Sequence, residues 1–186
     1  MGVIALAPEE NEIEISLFGP GYGECVVVHL GSDHWVVVDS CIDVESRRPV
    51  AVEYLEILGR DPAGAVKCVV ASHWHDDHVR GLGALFDSCR SAEFVCSVAL
   101  QPREFITLVE AYGRRAMMES SGVSEFSRIL QTLAERKVPP RWAISGRPVH
   151  EAITAIGGTR LLPLSPSDRA VELAFAELGS LIPTPG

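Results

Sequence analysis

The chain has 186 residues, 47% of them hydrophobic, with 16 Lys and Arg against 25 Asp and Glu and a net charge of -9. That size and apolar content suit one globular domain with a sizeable core, and the acidic balance argues against wholesale coating of nucleic acid. No run approaches the ~20 apolar residues that span a bilayer, and the opening Met1 to Ala7 is too short for a signal-peptide core, so a cytoplasmic protein is expected.

Residues 13–18, 24–30 and 35–38 read as strands, separated by turns at 19–23 and 31–34, which predicts two hairpins. The runs Val26-Val27-Val28 and Val36-Val37-Val38 lack polar alternation, as strands covered on both faces do. A helix follows over 50–58, with Pro49 suited to its first turn, Val52, Leu55, Ile57 and Leu58 as its apolar positions, and Gly59 as its stop. Residues 66–71 form a strand that feeds a histidine cluster. Residues 79–89 then read as a helix with Leu82, Leu85 and Phe86 inward, and 93–97 as another strand. This is an α/β rhythm.

Residues 101–150 look like a helical insertion on that plan, with helices at 101–112 and 124–136. Ser124 would cap the second, Ile129, Leu130 and Leu133 would be its buried side, and Pro139-Pro140 would end it. Residues 117–122 between the helices read as a lid or a linker. This segment is net positive, with 8 cations against 5 anions, which suits either an anionic substrate or a solvated helix face. Residues 161–164 read as a short edge strand despite Pro163, Ser167 as the cap of a helix over 168–178, and 182–186 as a tail. Five cysteines without CxxC spacing argue for reduced, buried thiols over a disulfide framework.

The cluster itself is His73-Trp74-His75-Asp76-Asp77-His78, five metal-capable side chains in six residues directly after a strand. Imidazole and carboxylate at that density hold divalent metals. In an extended chain residues two apart point the same way, so His73 and His75 would converge on one ion while Trp74 faces away. Asp77 and His78, around the turn, suit a second ion or a layer behind the first. Asp39 ends the earlier strand in an equivalent place, as either a turn-initiating residue or a support for the ligands.

With His-x-His-x-Asp-His after a strand, Asp39 closing an earlier one and a hairpin-rich start, the chain resembles the metallo-β-lactamase superfamily of metal-dependent hydrolases. Gly21-Tyr22-Gly23-Glu24, Val36-Val37-Val38-Asp39 and Leu164-Ser165-Pro166 are similar to the branch containing the hydrolase domain of late-competence DNA-uptake proteins. The resemblance implies an αββα sandwich and zinc, as one or two ions, with manganese or iron also compatible. His73 and His75 would bind the first ion and Asp77 and His78 the second, with Asp39 behind them. A zinc-activated water would be the nucleophile, oriented or deprotonated by Asp77. The substrate would be an ester, an amide or, by slight preference, a phosphodiester in a nucleic acid or nucleotide.

The family completes its site with a third histidine, a bridging aspartate and a final histidine downstream. Here His150 is the only histidine after His78, a weak ligand candidate outside any evident apolar strand, and Asp168 reads as a first-turn helix residue. The expected organisation is one domain over 1–186: a metal-motif half at 1–100, the helical insertion at 101–150, and at 151–186 the start of a second half that looks cut short. A homo-oligomer or a partner chain would then cover the incomplete half. The alternative is a catalytically weak or inactive member that binds metal or serves as an interaction module.

Overall fold

The computed structural model describes residues 6–19, 21, 23–73, 75–98 and 122–173. Its valine-rich runs form the middle of a six-stranded sheet. The strands, in spatial order, are β1 (Glu14–Phe18), β2 (Cys25–His29), β3 (Trp35–Val38), β4 (Val66–Ala71), β5 (Glu93–Ser97) and β6 (Arg141–Ala143). Short turns make β1, β2 and β3 antiparallel neighbours, whereas β3 to β6 run parallel. Parallel neighbours need crossovers, and helices supply them. These are α1 (Val50–Ile57), α2 (Pro62–Ala65), α3 (Asp76–Val79), α4 (Leu82–Ser88) and α5 (Gly122–Arg136).

One sheet face packs against these helices. Trp35, Val37, Val69, Leu55, Leu85, Phe86 and Ile129 meet there in the main core and are fully buried. Each such side chain contributes roughly 1.5–3 kcal/mol by leaving water. On the opposite face Val36, Cys68, Val95 and Ala143 form a smaller core with Val149, beneath a hairpin of β7 (His150–Thr154) and β8 (Gly157–Leu161). Thr154 Oγ1 donates to the Leu30 carbonyl at 2.7 Å and Ala155 N to Ser32 Oγ at 2.8 Å, tying the hairpin to the β2–β3 turn. On this second face β1 stays largely uncovered. Ser16 of β1 bonds Tyr54 of α1, so its neighbours Ile15 and Leu17 point the other way, where they are 63% and 78% exposed.

Several expectations change. The helix expected over 79–89 is two: α3 starts at Asp76, and the chain turns at Gly81, whose φ is +81°. A Cβ on Gly81 would lie 2.6 Å from Ile42 Cγ2, so this reversal needs glycine. Ile57 is exposed because α1 turns that side to solvent, and Val26, Val28 and Val38 are only partly buried because the second face is incompletely covered. Ser124 lies inside α5, which already includes Gly122, and cannot be its cap. Residues 141–143, expected within an insertion, are the sixth strand of the sheet. The strand expected at 161–164 lies earlier, with only Leu161 in β8, since Pro163 has no N–H to offer a ladder. Ser167 Oγ does accept from Ala170 N at 3.2 Å, and residues 168–173 are helical.

The helix expected at 101–112, the rest of the 117–122 segment, residues 174–178 and the tail at 182–186 lie outside the described residues. All five cysteines are free and buried. Burial raises the Cys41 thiol to about 11 and those of Cys68, Cys89 and Cys96 to about 12, so they stay protonated. Among the described residues no helix is long and apolar enough to cross a membrane.

Candidate metal centre

The parallel strands deliver two loops to one end of the sheet, as open α/β sheets commonly do at their carboxyl ends. Asp39 follows β3 and Ser72-His73 follows β4, and Asp39 N donates to the Val70 carbonyl at 2.8 Å. Asp39 has a φ of +60°, sparsely used by residues other than glycine but tolerated by Asp. That backbone turns a 5%-exposed carboxylate back across the strand ends. A buried carboxylate is costly without donors, and Asp39 has three: Ser72 N at 2.7 Å, Ser72 Oγ at 2.6 Å and His78 Nδ1 at 2.9 Å.

These bonds assign the imidazole tautomers. His78 donates its Nδ1 proton to Asp39, which leaves its Nε2 lone pair bare. Ser72 has a single hydroxyl proton and gives it to Asp39, so at 2.8 Å its oxygen accepts from His73 Nδ1–H, and the His73 Nε2 is bare as well. Imidazoles oriented through Nδ1 with Nε2 turned outward are the arrangement in which histidine ligates metals. Burial, reinforced by the adjacent His78, lowers the His73 pKa and keeps it neutral. The ring centroids of His73 and His78 are 3.7 Å apart, and ligand atoms of Asp39, His73 and His78 all lie within 4.8 Å of one another. Asp39 thus gathers the two rings from behind, and His73 and His78 with the neighbouring Asp77 offer the nitrogen and carboxylate donors that suit a divalent ion.

His75 is exposed, at the N-cap of α3, with its ring 5.1 Å from that of His73. Its ring is thus farther from His73 than the His78 ring is. The reason is that β4 ends at Ala71, so the alternation of an extended strand does not continue through the motif. The carboxylate of Asp77 is 47% exposed, 3.6 Å from His78 Nε2, and its carbonyl accepts Glu24 N at 3.0 Å. Trp74 lies outside the described residues. Two further groups lie at the site. Ser72, not singled out in sequence, is the relay just described, and Glu24, noted there only within the Gly21–Glu24 likeness, places a carboxylate oxygen 3.5 Å from His78 Nδ1. Ser72 carried one signal, its place between a buried strand and the first histidine.

His150 does not join the cluster. Its Nε2 lies 2.7 Å from Nε2 of His34 and its Nδ1 3.3 Å from Glu93. His34 precedes β3 and Asp39 follows it, and five residues of extended chain put about 16 Å between them. His150 is thus at the wrong end of the strands, although it does open a strand, β7. Asp168 begins the exposed helical stretch over 168–173. His29 is buried against Trp35, ring centroids 4.6 Å apart, and is part of the packing.

A family model described as the metallo-beta-lactamase superfamily matches residues 18–160, which include Asp39 and the whole histidine motif. No curated protein matches the chain.

Proposed function

The chain belongs to the metallo-beta-lactamase superfamily, and from that premise we propose that it is a metal-dependent hydrolase whose ion is held at the carboxyl ends of β3 and β4. The carrying observation is that Asp39 and Ser72 occupy the Nδ1 side of His78 and His73, so that among the described residues neither Nε2 has a hydrogen-bond partner and Asp77 lies 3.6 Å from that of His78. His73 and His78 would ligate through those atoms, with His75 and Asp77 beside them as further donors. Zinc is the ion we favour, because two imidazoles with carboxylate suit it, and manganese or iron would fit the same donors. A bound divalent ion supplies charge stabilisation and makes water acidic enough to react near neutral pH. Asp39 orients His78, and the half-exposed Asp77 carboxylate is placed to hold or take a proton. A phosphodiester is the preferred substrate, supported by the sequence likeness around Gly21–Glu24 and Val36–Asp39, with carboxylic esters and amides next. Elemental analysis of the purified chain, alongside hydrolysis of a generic phosphodiester by wild type and His78→Ala, tests this. Bound metal and turnover that the variant loses are expected, and a metal-free protein under zinc-replete conditions overturns it.

A second reading has its own support. Among the described residues only Asp39, His73 and His78 gather tightly, and His150, the one later histidine, is engaged at the far end of the sheet. A chain that binds metal through this part of a site, yet turns over slowly or not at all, would be a metal-binding or interaction module. Retained zinc with no hydrolysis of phosphodiester, ester or amide probes would favour it.

A further inference from the structure

We propose that α5 is a positioning element for the metal motif, acting through Glu125 and Asp76, neither of which touches the ion; the proposal rests on the metal-binding reading above. The segment that carries His78 runs from Asp76 through α3, the Gly81 turn and the start of α4, and α5 grips it on both flanks. At one flank a single carboxylate takes two amides: Gly81 N donates to Glu125 Oε1 at 2.8 Å and Gly83 N to Glu125 Oε2 at 2.9 Å. The first amides of a helix have no partner inside it and form its positive end, so an anion there satisfies both needs. The N-cap of α4 is Gly81, which has no side chain to do this locally, and the acceptor comes from 44 residues downstream. At the other flank the exchange reverses. Asp76 Oδ1, on the first residue of α3, accepts the backbone N–H of Gly122 in α5.

Between the clamps the backbone has little freedom. His78 N donates to the His75 carbonyl at 2.9 Å and the His78 carbonyl accepts Ser40 N at 2.8 Å, so both backbone groups of His78 are held. A Cβ on Gly83 would fall 2.7 Å from Arg128 Cδ and 3.0 Å from Glu125 Oε2, which shows how closely α5 sits on the start of α4. Releasing Glu125 frees Gly81 and lets the α3 turn shift, which moves His78 Nε2 relative to His73. Metal affinity is sensitive to such support even when every ligand remains.

The test uses the full chain, zinc calorimetry, and amide hydrogen exchange at His78, Gly81 and Gly83. Glu125→Gln is expected to weaken zinc binding roughly tenfold or more, the usual cost of losing a group behind the ligands, and to speed exchange at those amides. The control is Arg128→Gln, which breaks the 2.6 Å pair with Asp87 between the same two helices and leaves the Glu125 acceptors of Gly81 N and Gly83 N in place. It should leave zinc binding within about twofold of wild type, since the ligand supports are intact. Equal weakening in both variants would mean general loosening of the helix pair and overturns the proposal, as does unchanged zinc affinity in Glu125→Gln. Should Glu125→Gln fail to fold, the Asp76 pair decides. Asp76→Asn keeps an acceptor for Gly122 and should bind zinc more tightly than Asp76→Ala, and equal affinities overturn the claim. If wild type binds no zinc, the metal reading fails on its own, and exchange at His78 judges the positioning claim. Faster exchange in Glu125→Gln than in Arg128→Gln supports it, and no difference overturns it.

Discussion

At the amino ends of the parallel strands His34, His150 and Glu93 meet, and at the carboxyl ends His73, His78 and Asp39 meet, two imidazoles and one carboxylate in each case. At the first end His150 sits between Glu93 at its Nδ1 and His34 at its Nε2, and the two Nε2 atoms consume one another. Arg141 then pairs with the same Glu93 oxygen at 2.8 Å. That end is a clasp between the β7–β8 hairpin and the sheet. At the second end a serine hydroxyl stands between His73 and Asp39, both Nδ1 atoms are occupied, and both Nε2 atoms stay bare. What separates the clasp from the proposed ligand set is therefore which nitrogen each ring has left over.

The contrast breaks most visibly under histidine removal. His78→Ala should cost zinc affinity more than the roughly 10–100-fold loss that follows removal of a supporting group. His150→Ala should leave zinc binding unchanged and instead destabilise the fold by about 1–3 kcal/mol, because it strips partners from His34 and Glu93. Calorimetric zinc titration and denaturant unfolding of both variants read the two effects. Reversed outcomes would exchange the roles of the two ends.

Ser72→Ala sharpens the comparison further. It deletes the relay and none of the proposed ligands, so zinc affinity should fall about tenfold, and the buried Asp39 carboxylate, losing one of its three donors, should cost the fold about 1–3 kcal/mol. An affinity equal to wild type would mean that the His73 tautomer is set otherwise.

Acid should act on the clasp. Burial first, then the nearby His150, lowers the His34 pKa to about 4 from an ordinary 6.5. The unfolded chain therefore binds a proton between pH 6.5 and 4 that the folded chain refuses, and stability falls as pH drops through that window. Buried His29 is shifted the same way and adds to the slope. Thermal midpoints recorded from pH 7 to 4 should decline, less steeply in His34→Gln. An unchanged slope would remove His34 from the account. Smallest of all, Arg141→Gln breaks a pair whose side chains are about half exposed, and unfolding should register less than about 1 kcal/mol.

Much of the sheet was legible. Strands expected at 35–38, 66–71 and 93–97 are β3, β4 and β5 without adjustment, because short apolar runs bounded by turn residues have few other ways to bury themselves. The β7–β8 hairpin was not, since Glu151, Thr154 and Gly157 give it little apolar character and its stability comes from pairing and from contacts over 100 residues away in sequence. The break at Gly81 was hidden for a related reason. A lone glycine in a helical pattern leaves helix and turn both open, and Glu125 closes the question from a distant helix.

By itself the sequence determined the family: the residue types in His73–His78, their place after a buried strand, and Asp39 after another, were together enough to identify the superfamily. Only the tertiary structure decided which of these side chains meet. Spacing along a chain sets local direction, whereas Asp39, Ser72 and His78 are brought within hydrogen-bonding reach by the parallel pairing of β3 with β4. The same pairing carries His34 to the opposite end, where His150 finds it, because a strand keeps its two ends a full strand length apart.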